Sequence, residues 1–94
     1  MLSRIEFEKM RIIKIGALWC PACLIVNKAL KKVDVEVVNY DYDLDEEEVK
    51  KYHVGKVLPV LIFENEGKEI TRLIGEVSLS EILDVIEGVN NETN

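Results

Sequence analysis

The stretch LPVLIFE, Leu58 to Glu64, is the strongest constraint on what this chain can fold into. Up to Phe63 it is apolar, with no polar alternation. A strand of that kind is buried on both faces, so it belongs at the centre of a covered sheet. RIIKIGALW, Arg11 to Trp19, is also rich in isoleucine with few breakers, and reads as a buried strand running into a loop. The segments between and after these two have to supply the covering layers.

PACLIVNKALKKV, Pro21 to Val33, predicts a helix. Pro21 suits its first position, where a missing N–H costs no intrahelical bond. Ile25, Val26, Ala29, Leu30 and Val33 recur at helical spacing, and Lys28, Lys31 and Lys32 suit the outer face and the negative end of the dipole. VEVVNYDYD, Val35 to Asp43, is β-branched and aromatic and predicts a second strand. DLDEEEVKKYHVG then predicts a short acidic helix. Asp43 or Asp45 caps it, Glu46 to Glu48 favour its start, Lys50 and Lys51 its end, and Gly55 is a left-handed stop. After the apolar strand, NEGK (Asn65 to Lys68) is a turn with Gly67 free to take positive φ, and EITRLIG returns as a hairpin. Ser78 and Glu81 form a capping box for a last helix whose apolar face is Leu79, Ile82, Leu83 and Ile86, ended by Gly88.

The order is β-α-β-α-β-β-α, with two β-α-β crossovers followed by an antiparallel hairpin. The fold class expected is α/β: a mixed four-stranded sheet covered by three helices. With 94 residues the chain is one domain, 1–94, in which residues 1–10 are an N-terminal extension and 89–94 a frayed tail. No repeat, linker or low-complexity segment interrupts it. A net charge of −6 argues against nucleic acid or an anionic membrane as partner. No apolar run approaches the ~20 residues of a membrane helix, and the opening MLSRIEFEKMR lacks the apolar block of a secretory signal. The compartment expected is the cytoplasm, where a cysteine pair is chemical more often than structural.

Cys20 and Cys23, the only cysteines, stand in LWCPACL at the strand-to-helix junction. Cys20 falls at the N-cap, so the N–H groups of Ala22 and Cys23 and the helix dipole favour its thiolate. Cys23 lies about one turn on, less exposed, and can resolve a mixed disulfide at Cys20 without backbone movement. Two other readings compete: a pair of buried small hydrophobes, or half a zinc site. Zinc would need His53, the only histidine, and a carboxylate, so no metal and no cofactor is expected. His53 itself, near a helix end, is expected to be exposed, and the acidic run Asp41 to Glu48 to be a solvated helix start.

W-C-P-A-C (Trp19 to Cys23) resembles the active-site loop of the thioredoxin superfamily. Three further segments agree. YDYD (Tyr40 to Asp43) with the acidic helix ending KKYHV is similar to a thioredoxin strand and helix, VLPV with Pro59 to the cis-proline loop, and Gly75 to the glycine bordering the substrate groove. The resemblance covers Ile12 to Gly88. It implies a cis Leu58–Pro59 bond, which would account for a proline opening a buried strand. It also implies a shallow apolar groove framed by Trp19, Leu58, Pro59 and Gly75 beside Pro21, in which the Leu58 backbone pairs with an extended substrate. The activity implied is thiol–disulfide oxidoreduction by a monomer, with disulfide-containing proteins as substrates and a reductase or small thiol as electron donor.

The chain also departs from the family. Its first core strand starts near residue 11, so the extra N-terminal strand and helix of full-length thioredoxins have no counterpart. Its size and C-P-x-C order are closer to glutaredoxins, whereas Trp19, the single Gly75 and the lack of a Gly-Gly-Asp pattern favour thioredoxin. The loop YHVGKVLP is one residue longer than usual. Lys14 stands where thioredoxins bury an acid that handles the proton of the second cysteine, and its charge would instead lower the thiol pKa values. Two alternatives to a thioredoxin-like reductase follow: a glutathione-dependent glutaredoxin-like enzyme, and a non-catalytic redox sensor or binding module.

Overall fold

The structure, a computed structural model, describes residues 10–92. Its elements in chain order are β1 (Met10–Gly16), α1 (Pro21–Leu30), β2 (Glu36–Asp41), α2 (Glu46–Lys50), β3 (Val60–Asn65), β4 (Lys68–Ile74) and α3 (Leu79–Glu92). They build a four-stranded mixed sheet in the order β2-β1-β3-β4. The two Ile- and Val-rich strands, β1 and β3, take the centre, and every residue of β3 is buried.

The first β-α-β unit is a parallel crossover, with Ile12 opposite Val37 and Gly16 opposite Asp41. The second is not, which corrects the expectation of two crossovers. β3 runs antiparallel to β1, with Ile15 opposite Val60 and Met10 opposite Asn65. At ~1.5 Å per residue, the five residues of α2 advance only about 8 Å, less than half the length of a six-residue strand. The chain therefore enters β3 at the end where it left β2. The β3–β4 hairpin closes through Glu66 (φ 55) and Gly67 (φ 80), the two positive φ angles that a right-handed twist requires of a two-residue turn.

Side chains alternate across the central strands and feed one apolar cluster on each face. Ile12, Leu61 and Phe63 join Val26 and Leu30 of α1 and Ile82, Ile86 and Val89 of α3. Ile13, Ile15, Val60 and Ile62 join Val49 of α2, Leu58 and both cysteines. Two apolar helix positions expected inward face solvent instead: Ile25 is 50% exposed and Leu83 45%. The arcs set by Val26/Leu30 and Ile82/Ile86/Val89 leave each of them about 100° off the buried stripe.

Three of the expected assignments also shift. Met10, placed in the extension, is buried and opens β1. α3 runs through Gly88 to Glu92 rather than ending at the glycine. Continuing the helix buries Val89, worth about 1.5–3 kcal/mol, against the roughly 1 kcal/mol a helical glycine costs. His53 (φ 51), not Gly55, takes the left-handed conformation after α2. Asp45 occupies the N-cap of α2, but its carboxylate accepts the N–H of Asp41 (2.8 Å) and makes no cap bond. Residues 1–9 of the expected extension and 93–94 of the tail lie outside the described residues. The capping box forms as read: Glu81 N–H donates to Ser78 Oγ and Ser78 N–H to Glu81 Oε1, both at 3.1 Å.

Candidate active site

The loop after β1 turns at once into α1. Cys20 N–H donates to the Ala17 carbonyl (3.2 Å), and Pro21 opens the helix. This sets Cys20 at the N-cap, with extended backbone (φ −100, ψ 108) and its sulfur accepting the Cys23 N–H at 3.3 Å. Among the described residues Ala22 makes no such bond, so one N–H, not two, reaches the sulfur. Both cysteines are free thiols. Cys20 is 6% exposed and Cys23 1%, which makes Cys20 the one a substrate reaches first.

Burial pushes the Cys23 thiol up to about 11. The hydrogen bond and charge of Cys20 act in the same direction, while the Ala17 backbone hydrogen bond and the charge of Lys14 pull it down. Such a thiol stays protonated at neutral pH, as suits a sulfur that acts second.

The remaining predicted residues fall on two sides of Cys20. On the β3–β4 side, the Leu58–Pro59 peptide is cis, and Leu58 packs in the same cluster as the cysteines. Gly75 N–H donates to the Pro59 carbonyl (2.8 Å), with Gly75 at φ 92, where a side chain is strained. Val57, 58% exposed, stands nearest to Gly75 and adds an apolar edge that the sequence reading did not single out. Among the described residues nothing bonds to the Leu58 backbone. On the β2 side, Trp19 is 63% exposed and donates its indole N–H to Asp43 Oδ2 at 2.8 Å. Asp41 holds that loop by accepting the N–H groups of Asp43 and Leu44.

Lys14 lies inside the fold, 7% exposed, and not at a sheet edge. A β-carbon at Gly16 would lie 2.9 Å from both Cys23 Sγ and Lys14 Nζ, so ammonium and thiol approach each other over a bare glycine. Gly16 and Asp43 touch the candidate site's residues, and the sequence alone did not single them out for it. A glycine closing an apolar strand four residues before Cys20 was the available signal for the first. None existed for the second, because its partner is 24 residues away. His53 is exposed. Among the described residues no group of three or more His, Cys, Asp or Glu side chains converges as metal ligands would. Nor is any helix long and apolar enough to cross a membrane.

Fold and site together define a class: a mixed-sheet α/β domain with a free C-x-x-C pair at a helix start, in one cluster with the residue before a cis-proline. The fold is that of the thioredoxin superfamily. Solved structures similar to it include a mutant thioredoxin from Halobacterium salinarum, 19% identical, at a TM-score of 0.78 over 89% of this chain and 77% of that one. Thioredoxin from Fasciola hepatica is 27% identical, at 0.72 over 92% and 86%. Oxidized mitochondrial thioredoxin 3 from Saccharomyces cerevisiae is 23% identical, at 0.76 over 90% and 83%. At the level of sequence, neither a family model nor a curated protein matches the chain.

Proposed function

We propose that this chain is a dithiol protein-disulfide reductase. The observation that carries the reading is Cys20 at the N-cap of α1, its sulfur accepting the Cys23 N–H, with a second, more buried thiol one turn behind. The Cys20 thiolate attacks one sulfur of a substrate disulfide. The other substrate sulfur leaves as a thiolate and takes up a proton. Cys23 then gives up its proton and attacks Cys20 Sγ, which closes the Cys20–Cys23 disulfide and releases the reduced substrate. A separate thiol donor re-reduces the pair. Trp19, Pro21, Leu58, Pro59 and Gly75 line the approach, with the open Leu58 backbone pairing to an extended substrate segment. With two cysteines and no structural disulfide, the chain suits a reducing compartment such as the cytoplasm, acting as a monomer.

The test is reduction of a protein disulfide driven by excess small dithiol. Cys20→Ser should abolish it, and Cys23→Ser should accumulate mixed disulfide with substrate. A Cys23→Ser protein that turns over at the wild-type rate refutes the dithiol mechanism.

A further inference from the structure

We propose that Lys14 is a positioning residue that acts through Cys23, speeding the second thiol step and not the first. The inference rests on the dithiol reading above. Lys14 sits mid-strand in β1, between Asn39 of β2 and Leu61 of β3. Among the described residues its side chain makes no hydrogen bond and no ion pair. Its stem is buried while its ammonium opens into a cleft, and an apolar side chain of similar length would fill the same space without a charge to keep solvated. Packing alone therefore does not call for a lysine here.

Position relative to sulfur does. The ammonium and the Cys23 thiol each come within 2.9 Å of the one point above Gly16 where any other residue would carry a β-carbon. Both open into a cleft of about 230 Å³ that Asn27, Asn39, Tyr40, Asp41 and Asp45 also line. Two carboxylates, Asp41 and Asp45, also face this cleft, and each accepts backbone N–H through one oxygen. Asp41 holds the N–H groups of Asp43 and Leu44, and Asp45 that of Asp41. Cys20 does not line the cleft. Of the two sulfurs, it is that of Cys23 that shares the cleft and the space above Gly16 with the ammonium.

Its effect on the chemistry follows. In the second step the Cys23 proton goes to water and the thiolate attacks Cys20 Sγ. The Cys20–substrate bond breaks, and the substrate sulfur leaves as a thiolate that is protonated by water. The charge of Lys14 lowers the energy of the Cys23 thiolate. When a donor thiol attacks Cys20 in the oxidised pair, Cys23 is the leaving group and gains equally. Removing a charge that contributes about one unit of acidity cuts the thiolate tenfold. Higher nucleophilicity returns about a factor of three, for a net slowing of about threefold.

An aromatic disulfide reagent with a coloured leaving thiolate reads both steps in one trace. The first thiolate released reports attack by Cys20, and the second reports displacement by Cys23. Lys14→Met and Lys14→Gln should slow the second phase about threefold at neutral pH and leave the first unchanged, while Lys14→Arg should resolve faster than Lys14→Gln. Thiolate absorbance in a Cys20→Ser background should titrate at higher pH without the lysine. If Lys14→Met does not fold, Lys14→Gln carries the comparison. A second phase unchanged in the neutral variant, both phases slowed alike, or Arg no faster than Gln overturns the proposal. A wild-type trace with no second phase refutes the dithiol reading itself.

Discussion

Replacing Gly16 with alanine tests the contact around which the site is built. The added β-carbon would lie 2.9 Å from Cys23 Sγ, 2.9 Å from Lys14 Nζ and 3.0 Å from Lys14 Cε, closer than such contacts tolerate. Cys23 is held in the first turn of α1, so the lysine end has to give way, and it gives way inside a buried site. Overpacking of this kind costs about 1–3 kcal/mol. Alanine recovers about 0.4–1 kcal/mol by restricting the unfolded chain, because no positive φ at Gly16 opposes it. The two ranges bracket a net loss of up to about 2.6 kcal/mol, with a midpoint of about 1.3 kcal/mol. With a slope of about 1 kcal/mol per molar urea, the midpoint of the reduced protein falls by about 1 M. Urea titration followed by far-ultraviolet circular dichroism measures this. A midpoint within about 0.3 M of wild type would mean that neither sulfur nor ammonium occupies the space above Gly16, and the geometry assigned to Lys14 would fail with it.

The remaining predictions concern pH and the last helix. The Cys23 thiol stands at about 11 in the fold against 9.0 unfolded, so its stabilising share is whole below pH 9 and is lost as pH rises to about 11. Two units set a ceiling of about 2.7 kcal/mol, and water in the adjoining cleft lowers this to about 1–2 kcal/mol. Between about pH 8 and about pH 11 the reduced wild type should lose that much more stability to urea than Cys23→Ser; parallel curves would refute the burial assigned to the thiol. Ser78→Ala should cost about 1 kcal/mol by opening the capping box of α3, and an unchanged thermal midpoint would show that this helix end does not limit stability.

Periodicity and turn chemistry were enough to place the strands, α1 and the cysteines, because each rests on residues close in sequence. LPVLIFE became the fully buried β3, and Pro21 opened the helix that Cys20 caps. What escaped was of two kinds. Strand direction is a property of the whole path: nothing within DLDEEEVKKYHVG states that five helical residues cannot carry the chain back along the sheet. Choices between neighbours were the other kind. Ile25 and Val26 fit the same helical spacing, and only the position of the sheet decides that Val26 is inside. His53 rather than Gly55 takes the left-handed turn because the chain must leave α2 there to reach Leu58. The meeting of Lys14, Gly16 and Cys23 combines strand register with helix docking, and no local pattern encodes it.

The sheet works as a partition, and one helix has residues in the clusters on both sides of it. Helix α1 sends Val26 and Leu30 to one cluster and Cys23 to the other. Any displacement of Cys23 would be levered onto the opposite core. The 3.3 Å hydrogen bond from the Cys23 N–H to the Cys20 sulfur already joins the loop to the first turn of that helix. On the proposed dithiol reading, a covalent link between the same two residues would tighten a joint that exists, at the end of the helix away from Leu30. Thiol exchange would then be confined to one of the two clusters, with the other serving as a fixed mount.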